Sequence, residues 1–207
     1  MRALGKALLR LLALFVLLQV LLRLGKRLVV LPAPAFMGPL LNSRWRRRLQ
    51  PPSQVLARSG VAPGARALEV GCGSGAYLLQ AARRVGPGGL AVGADLQAGM
   101  VRQVRKANPD MPLVQSDAAA LPFADGSFDV VYLVTVLPET PDPVATLREA
   151  ARVGRPGGLI AVSELLPDPD YPTRRTTARW GRQAGLAVEA VLGNLWTYTV
   201  RFRRPAA

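Results

Sequence analysis

Histidine is absent from the 207 residues, cysteine occurs once, and aromatic residues make up only 6%. Without imidazole the commonest general base is missing, together with every triad that depends on it. The single thiol, Cys72, excludes an internal disulfide framework and any zinc site of the Cys/His kind. Acidic residues are scarce as well: 13, against 27 Lys and Arg, for a net charge of +14. Chemistry here must run on carboxylates, tyrosines, backbone groups or a cofactor. What the chain does have is apolar side chains, half of all residues, enough for a packed core.

The shortage of acids is local. No Asp or Glu precedes Glu69, while Arg2, Lys6, Arg10, Arg23, Lys26, Arg27, Arg44, Arg46, Arg47, Arg48 and Arg58 all lie before it. The remainder carries every acidic residue and is close to neutral. A basic charge spread over the domain would point to nucleic acid. A near-neutral domain behind a basic leader does not, and nucleic-acid binding is not expected.

Residues 11–22 read LLALFVLLQVLL, with Gln19 as the only polar member. At about 1.5 Å per residue this run covers roughly 18 Å, short of the ~30 Å hydrocarbon core. Adding 7–9 and letting Arg10 and Arg23 snorkel brings it near the lower limit for spanning. It ends in RLGKR, which argues against a cleaved signal peptide. A buried helix of a soluble fold fits less well, because the run is apolar on all sides and wrapped in cations. Residues 1–31 are therefore expected to anchor in a membrane, spanning it or lying in its interface. More basic residues follow the run than precede it, which places the catalytic domain on the cytoplasmic side. Residues 32–58 are a Pro/Arg-rich linker and lid, in which RWRRR at 44–48 suits anionic lipid and Trp45 the headgroup zone.

From Gly64 onward, short apolar runs alternate with helical stretches, the pattern of an α/β sheet with crossover helices. Strands are predicted at 65–70, 89–94, 112–115, 128–136 and 158–163. Helices are predicted at 74–85, 96–107, 141–153 (with Thr140 as N-cap) and 173–184. A final strand pair, 186–192 and 196–202, is joined by a tight hairpin at Gly193-Asn194. The domain is expected to fill 59–207.

Glu69-Val70-Gly71-Cys72-Gly73-Ser74-Gly75 sits where the first strand meets the first helix. Glycines there allow a tight turn and close backbone approach to a ligand, and a helix N-terminus favours negative charge. Asp95 closes the second strand, at the separation where a carboxylate meets ribose hydroxyls. The arrangement points to a nucleoside-bearing cofactor. Gly71-x-Gly73-x-x-Ala76 also satisfies a loose dinucleotide fingerprint, so a nicotinamide oxidoreductase is the alternative.

LEVGCGSG at 68–75, Asp95, and Asp117-x-x-x-Leu121-Pro122-Phe123-x-Asp125-x-Ser127-Phe128-Asp129 together resemble the class I S-adenosylmethionine-dependent methyltransferases, as does the RPGG turn at 155–158. The likeness is to the group of ubiquinone and menaquinone C-methyltransferases, and it covers about 52–203. It implies a Rossmann-like seven-stranded sheet of order 3-2-1-4-5-7-6 with the last strand antiparallel. It also implies S-adenosylmethionine as cofactor. Gly71, Gly73 and Gly75 would border its methionyl and ribose part, with Glu69 holding the loop or meeting the amino acid end. Asp95 would bind the ribose, Leu96 would flank the adenine, Asp117 with Ala118 beside it would meet the adenine amine, and Thr135 would lie under the sulfonium. Turn formation is the competing role for Asp117 and the favoured one for Asp125.

Methyl transfer asks the protein mainly for alignment and exclusion of water, so a chain without histidine can perform it. Glu139, in the VLPET loop, is the carboxylate that could act as base or orient the acceptor. Cys72 is expected to be a small packing residue rather than a nucleophile. The acceptor is expected to be small or lipid-soluble, such as a quinone precursor, a phospholipid headgroup or a phenol. A non-catalytic module that binds S-adenosylmethionine is the remaining alternative.

Overall fold

In the computed structural model, residues 42–206 are described, with 34–38 and positions 5, 6, 10, 13, 14 and 17. The expected anchor at 1–31 thus lies largely outside the described residues. Among them, no helix is long and apolar enough to cross a membrane.

A 3₁₀ turn, Ala35–Met37, is followed by helices α1 (Arg44–Leu49) and α2 (Pro52–Ser59). The alternating part then runs β1 (Arg66–Val70), α3 (Leu78–Val85), β2 (Leu90–Asp95), α4 (Ala98–Ala107), β3 (Leu113–Gln115) and β4 (Phe128–Val134). It continues through a 3₁₀ turn (Leu137–Glu139), α5 (Pro143–Val153), β5 (Gly154–Leu165), α6 (Arg174–Gln183), β6 (Ala187–Gly193) and β7 (Thr197–Arg203). The seven strands form one sheet of order β3-β2-β1-β4-β5-β7-β6, as expected. β7 runs antiparallel to both neighbours and the other pairings among β1–β5 are parallel.

The central strands are buried on both faces, which is why β4 is wholly apolar over 130–134. On one face Leu68, Val70, Val131, Leu133, Ile160, Val162, Val200 and Phe202 pack under α5 and α6. On the other, Ala67, Val130, Tyr132, Val134 and Ala161 meet Val55, Leu56, Leu78 and Val104 from α2, α3 and α4. The period-2 alternation of side chains sends each strand's residues to the two cores in turn.

Four local expectations need correcting. α3 starts at Leu78, not at 74, because Gly71, Gly73 and Gly75 all take positive φ and hold 71–77 in turns. The cap of α5 is Asp142, whose Oδ1 accepts from Val144 N and Ala145 N at 2.9 and 3.0 Å. Thr140 instead donates to Leu137 O at 2.7 Å. β5 is longer than predicted: its register jumps from Gly154 opposite Phe128 to Leu159 opposite Val130, so the RPGG turn bulges within it. Finally, the β6–β7 link is Asn194 to Trp196. Asn194 Oδ1 accepts from Trp196 N and Thr197 N, which fills a three-residue loop rather than a two-residue one.

Candidate active site

In the order 3-2-1-4 the strands after β1 are added first on one side of it and then, from β4, on the other, and open parallel sheets take ligands outside the carboxyl ends of their strands at such a point. The loop after β1 is shaped for this. A Cβ on Gly71 (φ 72°) would sit 2.4 Å from Val136 Cγ2, so only glycine fits. Gly73 (φ 52°) has open space where a Cβ would go, leaving a cradle against exposed backbone.

Asp95 ends β2 next to this loop and is nearly buried. Its Oδ2 accepts from Gly73 N at 2.8 Å and its Oδ1 from Gln97 N at 2.9 Å. It therefore braces the glycine loop. Two further lone pairs remain on the carboxylate for a ligand hydroxyl. Burial pushes its carboxyl above the ordinary value, against the pull of the two N–H groups. Leu96, next in sequence, is 53% exposed beside the end of β3, a large apolar side chain on an open surface. Asp117 is exposed, and its Oδ1 accepts from Ala119 N at 2.8 Å, an Asx turn, with half-buried Ala118 between.

Thr135 follows β4 with φ 53°, unique among non-glycine residues of the described chain, and its N–H bonds Ser163 O at 2.8 Å. A β-branched residue in that region is strained, and such strain collects at functional sites. Glycine loop, Asp95, Asp117 and Thr135 thus lie along one end of the sheet. Glu139, half-buried in its 3₁₀ turn, lies at the same end and acts electrostatically on Glu164.

Glu69 is buried at the end of β1 just before the loop, where its Oε2 accepts from Tyr132 OH at 3.0 Å. Burial pushes its carboxyl well above the ordinary range, opposed by that bond. Cys72 is buried, and burial with the Glu69 and Asp95 charges pushes its thiol up. This is the opposite of an activated thiolate and agrees with a packing role. Asp125 pairs with Arg152 at 2.6 Å, at the far end of β4 from the site.

The N-terminal segment also reaches the site. Gln103 Nε2 donates to Ala35 O at 2.8 Å, Ser74 Oγ to Gly38 O at 3.0 Å, and Asn42 Nδ2 to Ser74 Oγ at 2.5 Å. Tyr77 OH donates to Gln50 Oε1 at 2.8 Å. The segment is strapped across the glycine loop by these bonds. From α1, Arg44, Trp45, Arg47 and Arg48 face solvent while Arg46 turns inward. Its guanidinium donates to Thr135 Oγ1 and lies against the Tyr77 hydroxyl, and its Nε is buried without a partner. Burial nevertheless pushes Tyr77 up to about 12. A cation stands at the mouth of the crevice.

Residues 68–162 match the family model described as a methyltransferase domain. A SAM-dependent methyltransferase from Aquifex aeolicus has a TM-score of 0.77 at 23% identity, covering 84% of this chain and 100% of that one. The fold is that of the S-adenosylmethionine-dependent methyltransferases. Fold alone does not name the reaction on this scaffold: the [4+2]-cyclase SpnF shares it, with a TM-score of 0.67 and 17% identity over 78% of this chain and 82% of its own. In sequence, the demethylmenaquinone methyltransferase of Beutenbergia cavernae is 38% identical over 132 residues, 64% of this chain and 51% of that protein. The chain thus spans about half the length of the curated relatives it matches.

Proposed function

We propose that this protein transfers a methyl group from S-adenosylmethionine to a small, lipid-soluble acceptor of quinone type. The observation that carries the reading is the carboxylate of Asp95 bound to the glycine-loop backbone at the switch point of the methyltransferase fold. The residues present fit such a nucleoside. Gly73 offers the open backbone cradle, Asp95 the ribose-facing carboxylate, Leu96 an apolar surface for a base, and Asp117 an acceptor beside it. Arg46 brings the charge that an amino acid carboxylate needs. When bound, the cofactor supplies an electrophilic methyl on sulfur.

The chain's own work is then modest. Asp95 and the glycine loop fix the nucleoside, the strapped stretches 34–38 and 42–50 exclude water, and Thr135 shapes the floor on which donor and acceptor align. No imidazole is needed for these tasks. Half-buried Glu139 remains the candidate for orienting the acceptor or taking its proton.

The demethylmenaquinone methyltransferases among the relatives support a quinone-related acceptor. Membrane association belongs to the same proposal. The apolar run at 11–22, the acid-free 58-residue leader and the outward Arg44, Trp45, Arg47 and Arg48, with Phe36 80% exposed, all suit an anionic lipid surface at the cytoplasmic side. Transfer of labelled methyl from the cofactor into a membrane-lipid extract tests the activity. Label in a lipid-soluble product is expected; a protein that binds S-adenosylhomocysteine yet labels nothing would be a binding module. Removing residues 1–30 should depress turnover of membrane-held acceptors and spare that of soluble ones, and equal turnover of both would remove the membrane from the account.

A further inference from the structure

β5 ends in Ser163-Glu164-Leu165. The Ser163 carbonyl accepts from Thr135 N at 2.8 Å, so this rung lies beside the turn that closes β4. Glu164, next along, is 1% exposed and sits opposite Tyr198 in the β5–β7 register. Its Oε1 is buried with no hydrogen-bond partner. The other buried glutamate behaves differently, since Glu69 receives the Tyr132 hydroxyl. Tyr198 cannot serve Glu164 in the same way: its hydroxyl lies 2.7 Å from Thr177 Oγ1 and donates to Pro172 O at 2.9 Å.

A buried carboxyl oxygen left unpaired opposes folding, and an apolar side chain would pack at this rung without that cost. The charged groups that act on Glu164 come from three directions. Glu139 belongs to the loop after β4, Asp168 and Asp170 to the loop after β5, and Arg46 to α1. All three segments act on Glu164 at the end of β5, which lies across β4 from β1.

We propose that Glu164 receives the acceptor, its free carboxyl oxygen hydrogen-bonding a ring hydroxyl of a neutral hydroquinone-type molecule and turning the ring toward Thr135. The proposal rests on the methyltransferase reading for what occupies the crevice beside Thr135. Burial, reinforced by Asp168 and Glu139 and opposed by Arg46, pushes the Glu164 carboxyl well above the ordinary carboxylate range. A protonated carboxyl offers one donor and one acceptor, which a phenolic hydroxyl matches reciprocally. A cationic amine would require a buried ionised carboxylate and would itself be repelled by the Arg46 guanidinium, so it is disfavoured.

The test is an equilibrium titration of the full chain, with and without saturating S-adenosylhomocysteine, using 1,4-dihydroxynaphthalene and 1,4-dimethoxynaphthalene as probes. The wild type should hold the dihydroxy probe at least about tenfold more tightly. Glu164→Leu should erase that preference while S-adenosylhomocysteine affinity stays within about twofold, and Glu164→Gln, which still donates and accepts, should keep most of it. A preference that survives in Glu164→Leu overturns the proposal. So does a wild type that binds both probes alike, one that prefers 1-naphthylmethylamine, or a variant whose nucleoside affinity falls in step with probe affinity. Failure of the wild type to bind S-adenosylhomocysteine would instead defeat the methyltransferase reading, and the titration without nucleoside would still decide the role of Glu164.

Discussion

The two ends of the sheet treat their acids in opposite ways. At the amino ends of β1, β4 and β5, Asp129 accepts from Arg66 N at 2.8 Å and pairs with Arg155 at 2.7 Å. Nearby, Arg152 binds Glu149 at 2.7 Å, Asp125 at 2.6 Å and the carbonyls of Leu121 and Phe123. These partners hold the Asp129 and Glu149 carboxyls below their ordinary values. At the carboxyl ends, Asp95 and Glu164 are buried, and desolvation raises both. Paired, half-exposed acids staple loops. Buried acids that keep spare lone pairs or an unpaired oxygen await something from outside the chain.

The comparison can be broken by truncating one acid at each end. Asp95→Ala should weaken S-adenosylhomocysteine binding about 100-fold by calorimetry, because it removes a charge-assisted acceptor and unlatches Gly73. Arg46→Ala should weaken the same nucleoside about tenfold and leave methylthioadenosine, which lacks the amino acid, nearly unaffected. Equal losses for the two ligands would move Arg46 from ligand contact to lid packing. Asp129→Ala should leave nucleoside affinity unchanged and lower unfolding stability by about 1 kcal/mol, a modest figure because solvent screens its ion pair. A large loss of affinity there would abolish the division between the two ends.

The smallest effect is a trend with pH. A carboxyl lowered in the fold stabilises it above its ordinary value, and that contribution is lost as pH falls through the folded value. Asp129 and Glu149 behave so, below ordinary values of 3.8 and 4.5. Glu164 has the reverse sign: raised in the fold, it costs nothing below 4.5 and weakens the fold as pH climbs from there toward its raised value. Denaturant melts of Glu164→Leu and wild type should therefore diverge as pH rises from 5 to 8, the variant becoming the more stable. Convergence with rising pH would show that Glu164 is ionised and paired.

Much of this was legible in the sequence because it is local. Glycines at 71, 73 and 75 between a strand and a helix, Asp95 closing the next strand, and the apolar run at 130–134 of β4 each declare themselves within a few residues. The strand order followed from the resemblance that those motifs carry. Contacts between distant parts were not legible. Arg46 and Thr135 stand 89 residues apart, and nothing in RWRRR distinguishes the one arginine that turns inward. Glu164 falls just beyond the predicted end of β5 at 163, whereas strand pairing with β7 carries it into the core. The bond from Tyr132 to Glu69, which joins residues 63 apart on neighbouring strands, was hidden for the same reason.

The central claim is that the carboxyl ends of β1, β2 and β4 hold a sulfur nucleoside. Calorimetric titration of the full chain with S-adenosylhomocysteine, and in parallel with NADH, tests it most directly. S-adenosylhomocysteine should give saturable heat, with an affinity that Asp95→Ala lowers about 100-fold, and NADH should give none. Saturable binding of NADH with no response to S-adenosylhomocysteine would contradict it.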